Sequence, residues 1–292
     1  MAKGKTGLAV ALVAAAVWSS SVAAQQEGAM PPGREEAMFE FLAAELAAQR
    51  GDAGAALADM SRLARELRDP QIARRAVELA IRARAMDPAL EMAMLLVELE
   101  PESTLGRDLV ASLLANRGDV QKARETIAAF VKASPVKPLL LTQLAFYFGR
   151  YPDKAAVLEA TRAIVSPYPK LPESRYALGV SALVAGSLDL AKAESKATLD
   201  MKPGWTEAAV LRAQVLKKET PDEVIPFYRA FVAKYPDSKD VRLQLARELA
   251  TARRNAEARD EFRAVERLAG SDPQVPYAIG LLALQLEDYA DA

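Results

Sequence analysis

The chain contains no cysteine and no histidine. Without thiols or imidazoles it can form no disulfide, no Cys-His pair, no Ser-His-Asp triad and none of the usual nitrogen and sulfur zinc sites. Aromatic residues are scarce, at 6%, and no segment shows the period-two alternation of a half-buried strand. Neither sign of charge dominates: 38 Lys and Arg stand against 39 Asp and Glu, interspersed along the chain. Bulk electrostatics therefore draws it neither to nucleic acid nor to anionic lipid. What is abundant is alanine among other helix formers, which favours helices packed through small side chains. An all-α protein is expected.

The longest apolar run lies at the start. In "MAKGKTGLAVALVAAAVWSSSVAAQQ", Lys3 and Lys5 precede 11 apolar-rich residues from Leu8 to Trp18, and small residues follow to Ala24. This order predicts a secretory signal peptide over residues 1–24, with cleavage after Ala24 or, alternatively, after Ala23. The run is well short of the roughly 20 residues that span a bilayer. Lipid attachment at the cleavage point needs a cysteine, so the mature chain is expected to be exported, soluble and without a lipid anchor. Pro31, Pro32 and Gly33 make residues 25–35 a flexible lead-in.

From residue 36 onward the chain repeats itself. Val110, Leu144, Leu178, Leu211, Leu245 and Ile279 follow one another at spacings of 34, 34, 33, 34 and 34. Thirteen positions after each stands a small or β-branched residue: Ala123, Val157, Ala191, Val224, Ala258 and Ala292. Pro135, Pro169, Pro203 and Pro236 come 12 positions later, with Gly270 in the same place. The leucine-type residue marks the middle of a first helix, the small residue a close contact on a second, and the proline a stop. Counting back in the same register, Ala43 with Ala56 and Val77 with Leu90 mark two more units, the latter degenerate around Met86-Asp87-Pro88. Residues 36–292 are thus read as seven complete units and an eighth cut short at Ala292, with further repeats expected downstream.

This pattern resembles the tetratricopeptide repeat, carried most clearly by Leu178-Gly179, Ala191 and Pro203 and by Ile279-Gly280 and Ala292. The resemblance implies a superhelix, or α-solenoid, of antiparallel helix pairs that binds proteins or peptides on its inner face.

Several motifs have simpler readings than their functional ones. "RGD" occurs at Arg50–Asp52 and at Arg117–Asp119, and both fall at the turn inside a helix pair. Glycine there supplies backbone freedom and Asp caps the next helix. Acidic pairs such as Glu35-Glu36, Asp222-Glu223 and Asp260-Glu261 lack apolar surroundings that would tune an acid and a base. In "ATARRNAEARDEFRAVER" the acidic residues are spaced to pair with Arg along one helix. No enzyme activity, metal, cofactor or nucleic acid is expected.

The first-helix positions two before, two after and five after the central residue should line the inner face. The candidate peptide-binding residues are Phe146, Tyr176, Val180, Leu183, Leu243, Arg247 and Tyr277, with Ala209, Ala213 and Leu216 in the corresponding places of the unit between. Aromatics are rare in this chain, and such anchors dominate peptide recognition. The Lys and Asn residues with which some tetratricopeptide domains clamp a terminal carboxylate are missing from this face, which disfavours an acidic chain end as ligand.

The N-terminal "MFEFLAAELAAQRGDAGAALADMSRLARELRDPQIARRAVELAIRA" resembles LbcA-type adaptors, tetratricopeptide proteins of the Gram-negative cell envelope. That resemblance implies a periplasmic adaptor bringing clients such as peptidoglycan hydrolases to a carboxyl-terminal processing protease. Those adaptors are lipid-anchored, and the absent cysteine departs from them there. The alternative is an assembly scaffold for envelope or exopolysaccharide export machinery.

Overall fold

Aspartates write many of the helix starts. The carboxylates of Asp52, Asp69, Asp119 and Asp153 accept hydrogen bonds from the N–H groups of Ala55 (3.1 Å), Gln71 (2.7 Å), Lys122 (2.8 Å) and Ala156 (2.9 Å). Each satisfies a donor that the first helical turn leaves without an intrahelical partner. The computed structural model describes residues 34–101 and 103–269, and these are all-α, without a strand among the described residues.

The chain divides into two compact units between Asn116 and Arg117. In the first, α1 (Arg34–Gln49) pairs with α2 (Ala53–Leu67) and α3 (Pro70–Arg82) with α4 (Met86–Leu99); α5 (Thr104–Arg117) is its last helix. The second unit opens with α6 (Val120–Ala133). It continues with two short helices, α7 (Lys137–Thr142) and α8 (Leu144–Phe148), then α9 (Lys154–Val165), α10 (Pro172–Val184) and α11 (Leu188–Met201). After these come α12 (Thr206–Glu219), a 3-10 turn at Pro221–Glu223, α13 (Val224–Lys234), α14 (Lys239–Thr251) and α15 (Asn255–Ala269). Within this unit first helices lie beside first helices: α7 and α8 against α10, α10 against α12, and α12 against α14.

The expected register is the register of burial. Val110, Leu144, Leu178, Leu211 and Leu245 are buried, as are Ala123, Val157, Ala191, Val224 and Ala258. Gly179 explains why a small residue is wanted beside Leu178: a Cβ there would lie 3.0 Å from Leu211 Cδ2 and 3.4 Å from Glu194 Cβ, where α10 meets α12 and α11. Pro135, Pro203 and Pro236 stand two residues beyond the ends of α6, α11 and α13. Ile279, Gly280, Gly270 and Ala292 lie outside the described residues, as do the leader and most of the lead-in.

Two positions differ from expectation. Ala43 is exposed and Ala44 is buried in its place, because α1 packs on α2 and has no neighbour on its other side among the described residues. Leu90 is half-buried while Ala89 is fully buried. The turn itself is the better origin for counting. Left-handed backbone recurs at Gly51, Arg84, Gly118, Gly186 and Arg253, and five residues after each stands a fully buried alanine: Ala56, Ala89, Ala123, Ala191 and Ala258. The "RGD" glycines therefore sit at the positive-φ position of the turn, with the Asp as cap. In the two intervening units that position falls at Pro152 and Glu219. Proline cannot take positive φ, and Glu219 is still the last residue of α12.

The first helix of the unit around Leu144 is broken at Gln143. Thr142 Oγ1 donates to the Leu139 carbonyl at 2.7 Å, and the Gln143 N–H is shared between the carbonyls of Leu139 (3.3 Å) and Leu140 (3.2 Å). Such back-bonding competes with the regular ladder and bends a helix.

Candidate functional site

The second unit has a shallow depression of about 380 Å³ where the N-terminal ends of three successive first helices approach one another. Pro138, Leu139 and Thr142 come from α7, Glu173 and Tyr176 from α10, Lys202 and Trp205 from the turn before α12, and Glu207 from its first turn. The Tyr176 and Trp205 rings lie 4.8 Å apart between centroids and are mutually tilted. Lys202 Nζ sits 4.3 Å from the centre of the indole and donates to Glu173 Oε1 at 3.2 Å. The turn is supported from behind, since a Cβ at Gly204 would come within 3.1 Å of the Tyr235 ring. Burial pushes the Tyr176 hydroxyl's pKa above its ordinary value, and the nearby Glu207 carboxylate pushes it the same way.

An apolar strip runs from this depression along the helices. Leu139 is 48% exposed and Phe146 is 62% exposed, seven residues apart on one side of the α7–α8 segment, with Thr142 between them. On α10, Tyr176, Val180 and Leu183 are half-buried and Val184 is exposed. Of the expected residues, Phe146, Tyr176, Val180 and Leu183 therefore lie on neighbouring first helices, although only Tyr176 lines the depression itself. Leu243 is half-buried against the core formed by α12 to α15, and Arg247 is exposed. Tyr277 lies outside the described residues.

The face does not continue evenly. Ala209, Ala213 and Leu216, placed there by the register, are buried in that same core, because α13 and α14 close over this side of α12. Conversely, the register-based face omits Leu139, Lys202 and Trp205. Lys202 and Trp205 stand in the turn before α12, which a rule counted outward from the middle of a first helix does not reach. The one available signal was Trp205, one of two tryptophans in the chain, standing directly after Pro203-Gly204 at a helix start.

The other charged motifs are taken up in surface pairs. Arg254 meets Glu257 at 2.7 Å along α15, whereas Glu261 is held by Arg242 of α14 at 2.8 Å rather than by its own helix. Glu223 accepts from the Thr220 hydroxyl at 3.2 Å. Among the described residues, no acidic cluster is arranged to hold a metal ion, and no helix is long and apolar enough to cross a membrane.

No protein family profile matches the chain, and neither does any curated protein. Similar solved structures include the C-terminal part of a TPR repeat-containing protein from Cytophaga hutchinsonii, at 16% identity and a TM-score of 0.39, covering 82% of this chain and 99% of that one. A tetratricopeptide repeat protein from Parabacteroides merdae is 14% identical with a TM-score of 0.44, covering 76% and 88%. MamA from Desulfovibrio magneticus is 15% identical with a TM-score of 0.36, covering 70% and 97%. These superpositions are loose, and it is the chain's own helix pairs, in their 34-residue register, that define an all-α fold of tetratricopeptide type.

Proposed function

We propose that the protein is a protein-binding scaffold that holds a partner segment along the first-helix face of its second unit. The observation that carries this reading is the exposure of Leu139 and Phe146 beside the Tyr176–Trp205 pair in a chain poor in aromatics. An apolar side chain seated on the two rings would gain from burial and stacking. A basic neighbour would gain from Glu207, since Glu173 is already paired with Lys202. The test is a binding measurement with a captured client. Tyr176→Ala with Phe146→Ala should weaken binding by about 2–4 kcal/mol while costing less thermal stability than Leu178→Ala. Equal loss of folding in both variants would return the two aromatics to the core.

We infer further that the scaffold is an exported, periplasmic adaptor delivering clients such as peptidoglycan hydrolases to a carboxyl-terminal processing protease. Support comes from the leader-like first 24 residues and from the resemblance of residues 38–83. Tethering raises the effective concentration of enzyme and client to roughly the millimolar range without any catalytic group of its own. Its signature is a degradation rate that climbs and then falls as scaffold is added, because excess scaffold places protease and client on separate molecules. A rate indifferent to the scaffold at every ratio would defeat this reading, and recovery of export components in a pull-down would favour the assembly scaffold instead.

A further inference from the structure

Helix α1 has two opposite faces of different fate. Ala37 and Ala44 are buried on the side that packs on α2, and Glu45 is buried under Arg75 of α3. On the other side Phe39, Leu42 and Leu46 are 74%, 41% and 50% exposed. They are spaced by three and four residues and so form one stripe. Glu35 lies four residues before Phe39 and Arg50 four after Leu46, which extends the stripe by one exposed charge at each end. Neither charge has an ion-pair partner among the described residues.

Read along the helix, the stripe is Glu35, Phe39, Leu42, Leu46, Arg50: acidic end, apolar middle, basic end. Turned end for end, this order is complementary to itself. About a two-fold axis between Leu42 and Ala43, Phe39 of one copy faces Leu46 of the other, and Glu35 faces Arg50 at both ends. A parallel pairing would set Glu35 on Glu35 and Arg50 on Arg50, so charge order selects the antiparallel arrangement.

We propose that the chain self-associates through the outer face of α1, as an antiparallel helix pair with a second copy. The contact is isologous, so it closes at a dimer. It covers three large apolar side chains per copy along roughly 22 Å of helix. An interface of this extent falls at the small end of specific contacts, under about 1,200 Å² in total, which makes the dimer reversible and concentration-dependent.

The test is sedimentation of the full chain over a concentration series. The unaltered protein should pass from monomer to dimer, and Phe39→Ser should shift that midpoint to at least about tenfold higher concentration. Glu35→Arg carries a positive charge at both ends of the stripe, and Arg50→Glu a negative charge at both. Each alone should associate about tenfold more weakly or worse, but an equimolar mixture should recover association as a one-to-one heterodimer, since every end again meets its opposite. Helical circular dichroism melts of each variant show that it is folded before mixing. A chain that stays monomeric throughout, a dimer indifferent to Phe39→Ser, or folded single variants whose mixture does not associate would each overturn the proposal.

Discussion

Tyr151 is fully buried beside Phe148, with ring centroids 5.8 Å apart, yet its hydroxyl has no hydrogen-bond partner among the described residues. Burial, and secondarily the Asp119 carboxylate, push its ionisation up to about 12. Tyr151→Phe keeps the packing and removes a desolvated polar group, so it should stabilise the fold by up to about 1 kcal/mol in a denaturant melt. The pH dependence has a definite sign. A proton held more tightly in the folded state contributes stability that is intact below the ordinary tyrosine value near 10 and is lost as pH rises from about 10 to about 12. The Phe variant should lose less over that window, with the raised Tyr176 and Tyr228 accounting for the remainder. Arg84 is a second site of residue-scale cost, since a non-glycine side chain at φ 58° is strained. Arg84→Gly should raise thermal stability by about 0.5–1 kcal/mol, the relief being partly offset by glycine's freedom in the unfolded chain. Both Arg84 and Arg253 occupy the position where "RGD" has its glycine, and spacing alone reveals that equivalence.

Between elements, α3 is tied back to α1 by a two-point contact to one carboxylate. Arg75 donates to both carboxylate oxygens of Glu45, at 2.6 and 2.8 Å, and Glu45 is only 7% exposed. Those bonds, with a second pair to Glu78, hold the Arg75 guanidinium's pKa well above its ordinary value. Arg75→Met leaves a nearly buried carboxylate without its partner and should cost about 3 kcal/mol, whereas Arg75→Met with Glu45→Met should recover most of it. Equilibrium unfolding of the three proteins measures both effects. Sequence spacing does not disclose this pair, because its members lie 30 residues apart in adjacent repeats. The same limit applies to the candidate site. Tyr176 is legible from its register position, while Trp205 and Lys202 reach it from a turn about 30 residues further along. The break at Gln143, beside a Thr142 hydroxyl that donates to the Leu139 carbonyl, also leaves no mark in the 34-residue period.

At the scale of the whole molecule, the proposed adaptor is an exported chain that acts by holding partners. Mass spectrometry of the protein isolated from its source should find an N-terminus near Gln25 and no lipid. An intact N-terminus in a membrane pellet would instead make Leu8 to Trp18 an uncleaved anchor. Far-ultraviolet circular dichroism should show a helical spectrum without a strand component, and substantial strand would contradict the fold itself.

The sequence by itself determined the class of this protein: helix pairs on a 34-residue period, their turns, their caps and their stops. These are local matters, decided by an aspartate, a left-handed residue or a proline acting within a few positions of itself. Only the tertiary structure decided which of the repeated positions stay open. Ala209, Ala213 and Leu216 are closed over by α13 and α14, while Leu139 and Phe146 in neighbouring repeats are not, and the outer side of α1 has no covering element among the described residues. Exposure is a sum over neighbours far away in the chain, and identical register positions acquire different neighbours wherever a helix breaks, shortens or stands at the edge of its unit.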